Sequence, residues 1–164
     1  MLIDDIKYCP RCGTLLNNKL RMGKVRPVCQ SCDWIFFPDP KVAAGVVVIK
    51  DNKILLVRRA NNPRKGFWTV PVGFVDAGED PAGAAQRECL EETGLKIKVV
   101  ELLKVFSGQE HPRGAHIIII YRGEIISGEL QASDDVDEIG FFAKKELPPL
   151  AFKTTRIILG EYGL

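Results

Sequence analysis

Read for its apolar and polar positions, the chain changes character near residue 42. Residues 42–50, VAAGVVVIK, and 53–59, KILLVRR, are apolar, β-branched runs parted by Asp51 and Asn52. Two such runs across a short polar pair predict a hairpin. Residues 67–75, FWTVPVGFV, predict a further strand, broken at Pro71. LKIKVVELLKVFSG and AHIIIIYRGEII predict two more strands, IGFFA a short one, and KTTRIILGEYGL a closing helix. Between the third strand and the fourth, PAGAAQRECLEET predicts the clearest helix. Asp80 suits its N-cap, Pro81 its first turn and Gly94 its C-terminal stop. Gly83 weakens it without ending it. The order is three strands, a loop, a helix, three strands and a helix: an α/β chain with a mixed sheet and helices packed against it.

Before residue 42 the pattern is different. CPRC at 9–12 and CQSC at 29–32 are two C-x2-C knuckles sixteen residues apart. This spacing predicts a zinc site of Cys9, Cys12, Cys29 and Cys32. Four thiolates fill a tetrahedron, so the metal is expected to be structural. Two disulfides are the alternative, disfavoured in a chain without a secretory signal. Residues 1–38 are expected to form this zinc ribbon, too short for an apolar core of its own. FFPDPK at 36–41 reads as the linker, and 39–164 as the second domain.

Composition adds little. The 164 residues are 46% hydrophobic and 27% charged, with net charge +2 and a pI near 8.3. No apolar run reaches the roughly 18 residues of a membrane span. MLIDDIKYCPRC has acids where a signal peptide has bases, so a cytoplasmic protein is expected. Nucleic acid is not an expected partner: the ribbon's Lys7, Arg11, Lys19, Arg21, Lys24 and Arg26 lack interleaved aromatics for base stacking.

The charge distribution adds more. Asp76, Glu79, Asp80, Glu88, Glu91 and Glu92 crowd one stretch. Residues three and four apart share a helix face, which puts Glu88 beside both Glu91 and Glu92. Ala82, Ala85 and Cys89 fall on another face, small enough to pack on the sheet. Two unpaired carboxylates ~4 Å apart repel by roughly 4 kcal/mol at an effective dielectric of 20. A solvated acidic face tolerates that by splaying apart. A hard divalent cation, Mg²⁺ or Mn²⁺, relieves it directly, and no run of lysines competes nearby.

Gly73, Glu79 and the run Arg87-Glu88-Cys89-Leu90-Glu91-Glu92-Thr93-Gly94-Leu95 match the Nudix box, G-x5-E-x7-R-E-U-x-E-E-x-G-U, at every fixed position. Cys89 fills a slot usually held by a larger aliphatic residue. GFWTVPVGFVDAGE resembles the family's G-x-W-x-L-P-G-G-F-V-E-x-G-E, departing at Val70, Val72 and Asp76. The resemblance implies the family's α/β/α sandwich and hydrolysis of nucleoside diphosphates linked to another group. It implies Glu88, Glu91 and Glu92 as ligands of the divalent ions and the Gly73 carbonyl as a further ligand. Glu79 is then a weaker ligand or a support, and Arg87 holds a glutamate by a bidentate pair. Glu88 is the first candidate for general base, with Glu110 and the pair Asp137 and Glu138 as alternatives. Arg58, Arg59, Arg64 and Glu110 are candidate substrate contacts.

Four-cysteine ribbons precede Nudix domains in NADH pyrophosphatases and in ADP-ribose or FAD pyrophosphatase-like proteins. The S-Q-P-W-P-F-P-x-S segment of the NADH enzymes has no counterpart here, so ADP-ribose or an FAD-like dinucleotide leads, NADH is second, and a homodimer is expected. A nonenzymatic ribbon that binds nucleic acid or protein is the competing class. The intact set of box carboxylates favours catalysis.

Overall fold

A computed structural model describes residues 6–108, 110–111 and 114–162. The chain divides into two compact units, Met1–Pro40 and Lys41–Leu164.

The first unit is a hairpin with two knuckles. β1 (Leu16–Arg21) pairs antiparallel with β2 (Lys24–Cys29). Met22 and Gly23, at φ 50° and 74°, make the two-residue turn that suits a right-twisted hairpin. Each C-x2-C knuckle ends on a residue of positive φ: Gly13 at 73° after Cys12 and Asp33 at 54° after Cys32. Glycine takes that conformation freely, and aspartate is among the few other residues that accept it. The knuckles repeat the same hydrogen bond, Cys9 N–H to Thr14 O and Cys29 N–H to Trp34 O, both at 2.8 Å.

The second unit contains the sheet. β3 (Val42–Lys50) and β4 (Lys53–Arg59) meet through Asp51 and Asn52, at φ 48° and 61°. They are paired only at Ile49–Ile54 and Lys50–Lys53. Beyond that the two strands take different partners. β3 lies parallel to β8 (Ile117–Gly128), which pairs antiparallel with β7 (Leu95–Ser107). β4 pairs with β5 (Trp68–Thr69) and with β9 (Val136–Phe142). β6 (Val72–Phe74) pairs with β3. The break anticipated at Pro71 is therefore a change of partner, from β4 to β3. Proline carries no N–H for the ladder, and its carbonyl accepts from Val46 N–H at 3.0 Å.

Alternation along β3 and β4 then separates two apolar layers. Val47, Ile54 and Leu56 pack with Ile158 and Leu159 of α2 (Lys153–Tyr162). Val46, Val48 and Leu55 pack with Cys89 of α1 (Pro81–Thr93). The sheet thus lies between two helices. Each fully buried Leu or Ile stabilises this arrangement by roughly 1.5–3 kcal/mol. Trp68 belongs to the α2 layer, edge-on to Phe142 at 4.7 Å between centroids. α1 docks through Ala84, Ala85, Cys89 and Thr93, while Ala82 is only partly buried. Ala85 and Cys89 are thus buried as anticipated, with Ala84 and Thr93 in place of Ala82. Gly163 and Leu164 of the anticipated closing helix lie outside the described residues, which contain no helix long and apolar enough to cross a membrane.

Candidate active site

α1 starts where its sequence predicts. The Asp80 side chain accepts from Gly83 N–H at 3.0 Å, and Gly94 ends the helix at φ 74° with its N–H on Leu90 O. With the small face buried, Arg87, Glu88 and Glu91 are left to meet the 73–79 loop.

Arg87 is the hub of this arrangement. Its Nε and Nη2 donate to the two Glu79 carboxylate oxygens at 2.8 and 2.9 Å, a bidentate pair. Nη1 donates to Glu88 at 2.8 Å and to Glu91 at 3.0 Å, and Nη2 also reaches Phe74 O at 3.0 Å. Arg87 and Asp76 N–H together hold Glu79 down to about 2. Three of the crowded carboxylates therefore share one guanidinium, a cationic partner that a search for lysines overlooks.

Glu92 receives no such partner. Its Oε2 accepts from Val72 N–H at 3.1 Å. Burial pushes its carboxyl up to about 8, and Glu88 nearby pushes the same way. Burial also raises Glu88, against the pull of Arg87. Glu88 rests on Gly73, where an added Cβ would land on its carboxylate group. Gly73→Ala is therefore expected to displace Glu88 and lower kcat by at least ~10-fold, with a smaller change in KM. Unchanged kcat in steady-state assays would remove Glu88 from the reacting centre. Among the described residues, the four cysteines are the set whose ligand atoms all lie within 4.8 Å of one another. The α1 carboxylates stand farther apart, spread by Arg87 and by Val72 N–H.

Two cavities meet over this face. The acidic one, about 350 Å³, is lined by Glu88, Glu92, Arg87 and Asp135. The apolar one, about 740 Å³, is lined by Ile118, Ile120, Phe152 and Ile158, with Glu110 and His111 at its wall. Arg59, Val72, Gly73 and Phe74 border both. Arg59 donates from Nε to Pro63 O at 2.8 Å, and its guanidinium lies 5.2 Å from the Phe152 ring centre.

Of the other sequence candidates, Arg58 and Arg64 fall elsewhere, and Glu110, at the wall of the apolar cavity, is taken up by another role. Arg58 points away from both cavities and pairs with Glu138 at 3.0 Å. Arg64 is exposed in the loop at φ 63° and lines neither cavity. Glu110 accepts from the N–H groups of Lys153 and Thr154 at 2.8 and 3.0 Å, capping α2 across 43 residues of chain. Burial raises its carboxyl, but these N–H groups outweigh that and hold it below its ordinary value. A carboxylate so engaged is a weak proton acceptor. Asp135 is the residue the sequence reading missed. It accepts from Asn61 Nδ2 at 2.7 Å and stands in the acidic cavity. Its signal was the acidic pair immediately before β9, and strand alternation sends Glu138 to Arg58 instead.

In the ribbon the sulfurs of Cys9 and Cys32 are 3.6 Å apart, Cys12 and Cys29 3.4 Å, and Cys12 and Cys32 3.7 Å. Tetrahedral zinc with Zn–S near 2.3 Å needs edges of about 3.8 Å. A disulfide needs about 2.05 Å, and all five cysteines are free. The N–H groups of Ser31 and Cys32 both point at Cys29 Sγ at 3.4 Å. The donor set fits zinc.

The family model for the NUDIX domain matches residues 39–159. The chain belongs to the NUDIX family. This Nudix hydrolase is 48% identical over 120 residues to an ADP-ribose pyrophosphatase of Methanocaldococcus jannaschii, covering 73% of this chain and 71% of that one. It is 29% identical over 151 residues to the NAD-capped RNA hydrolase NudC of Vibrio parahaemolyticus, covering 92% of this chain and 56% of that one. The chain thus spans little more than half the length of the NudC relative. The crystal structure of a NUDIX hydrolase from Nitrosomonas europaea superposes with TM-score 0.87 at 29% identity, over 96% of this chain and 90% of that one. The Nudix fold, with a mixed sheet between helices, is the one anticipated, and the enzyme is a pyrophosphohydrolase of nucleoside diphosphate derivatives.

Proposed function

We propose that this enzyme cleaves the diphosphate bond of ADP-ribose or an FAD-like dinucleotide, with Mg²⁺ or Mn²⁺ as cofactor. The observation that carries the reading is the junction of an acidic cavity with a larger apolar one at Arg59 and Gly73. A dinucleotide has the same two parts, a charged diphosphate and a bulky, flat nucleoside. The donors fit a hard cation: Glu88, Glu91, Glu92 and the Gly73 carbonyl are all oxygen, and Glu92 is drawn from water with no ion-pair partner among the described residues. Such an ion, when bound, neutralises phosphate oxygens and acidifies water.

The chain's own residues do the rest. Arg87 fixes Glu79 and sets the rotamer of Glu88. Glu88 takes the proton of the attacking water, helped by burial that raises its affinity for one. Arg59, stiffened by Pro63 O and Phe152, holds the diphosphate where the cavities meet. Phe152 and the β8 isoleucines face the nucleoside. Cys9, Cys12, Cys29 and Cys32 hold a structural zinc in a ribbon of residues 1–38, ahead of a hydrolase domain of residues 39–164. A homodimer working in the cytoplasm belongs to the same reading, carried from the sequence.

NADH, or an NAD-type 5′ end on RNA, is the second reading, supported by the NudC relatives. Turnover of ADP-ribose, FAD and NADH at equal concentration with Mg²⁺ separates them. ADP-ribose or FAD is expected to react fastest, releasing AMP. Reaction of nucleoside triphosphates alone, with release of pyrophosphate, would reject the substrate class.

A further inference from the structure

The ribbon hairpin carries a charge pattern that the hydrolase site does not use. Residues 1–40 hold six Lys and Arg against four Asp and Glu, so the whole net charge of +2 resides there. Register concentrates it further. Lys19 lies directly opposite Arg26, and Arg21 directly opposite Lys24. Residues opposite each other in an antiparallel pair share a face, so all four cations project from one side. Like charges so placed destabilise a two-stranded sheet. Among the described residues, none of the four has an acidic partner within 4.0 Å. Beside them the Arg26 guanidinium lies 4.5 Å from the Phe37 ring centre, and Phe37 is 43% exposed. The aromatic missing from the sequence reading is thus supplied from 11 to 18 positions away, by a segment read as linker.

We propose that this face binds the sugar–phosphate backbone of single-stranded RNA. Two rows of cations match a chain of phosphates, and the exposed ring with its stacked guanidinium is a platform for an unpaired base. An anionic membrane would use the same cations but would leave the Arg26–Phe37 pair without a purpose. The inference rests on the hairpin alone and stands or falls separately from the carboxylate site.

The test is fluorescence anisotropy with a 5′-labelled, unstructured 20-nucleotide RNA, using the full zinc-loaded chain in magnesium-free buffer. Binding at low salt is expected, with log Kd rising against log salt at a slope of about 3 for four phosphate contacts. Lys19→Glu with Lys24→Glu is expected to weaken binding by at least ~30-fold and flatten the slope. Phe37→Ala is expected to weaken it by ~10-fold without changing the slope. Zinc content and hydrolysis of free ADP-ribose serve as folding controls and are expected to be unaltered. Should the double variant fail those controls, the wild-type slope and Phe37→Ala decide. No RNA binding at low salt, a slope near zero, or equal binding by the correctly folded double variant would overturn the proposal. So would capture by phosphatidylserine vesicles in place of RNA.

Discussion

Glu92→Gln is expected to cut kcat by about 10²–10⁴-fold while leaving the metal-free protein more stable at alkaline pH. Glutamine keeps the size of the side chain and can still accept from Val72 N–H. What it removes is a carboxylate that burial has pushed from 4.5 to about 8. Between those values the folded chain keeps a proton that the unfolded chain releases. Stability contributed by the protonated form is therefore present below 4.5 and is lost as pH rises through about 8. Glu88, also raised, acts in the same direction. Metal-free wild-type protein should melt progressively lower across that window, and the variant less so. Added Mg²⁺ should raise the wild-type melting temperature more than that of the variant, since an ion that binds only the folded state stabilises it. Steady-state kinetics and melts at several pH values check both parts. Near-normal turnover with an unchanged Mg²⁺ response would return Glu92 to an ordinary helix face.

Loss of zinc is expected to unfold the first unit and leave the second largely intact. The buried apolar residues of residues 6–40 include Cys9, Val28, Cys29 and Phe36, two of them cysteines of the proposed zinc site. So small a set does not hold these thirty-five residues against chain entropy. Structural zinc sites bind with roughly 10–16 kcal/mol, which here is folding energy. Cys12→Ser should therefore lower zinc from one per chain, open residues 6–40 to protease and broaden the melt. Hydrolysis of ADP-ribose per folded second unit should fall much less. Elemental analysis, limited proteolysis and kinetics on the same preparation read all three. A variant that stays protease-resistant without zinc would show that packing, not metal, holds the ribbon.

What the sequence determined by itself was set by interactions spanning a few residues. Asp51 and Asn52 made a turn because both tolerate positive φ, and Asp80, Pro81 and Gly94 bounded α1 because helix ends have unpaired groups that only certain residues satisfy. The two knuckles were readable because thiolate spacing on a turn is local geometry. The box glutamates were readable because one helix turn places them together. Partner choice was not local. That β3 would leave β4 for β6 and β8 depended on register partners 27–31 and 75 residues away. Both cavities are lined from β4, at Arg59, and from β6, the partner of β3. Arg87 took Glu79, Glu88 and Glu91 together only because the 73–79 loop folds back onto α1. Glu92, one position on, was turned to Val72 N–H and isolated, which nothing in its own neighbourhood of sequence distinguishes. Glu110 became a cap for α2, and Asp135 rather than Glu138 faced the site, because strand alternation and loop closure select one of two acids three residues apart. Local sequence decides which groups a segment carries. Burial and pairing, which set their charge and reach, come from residues that only the tertiary fold brings near.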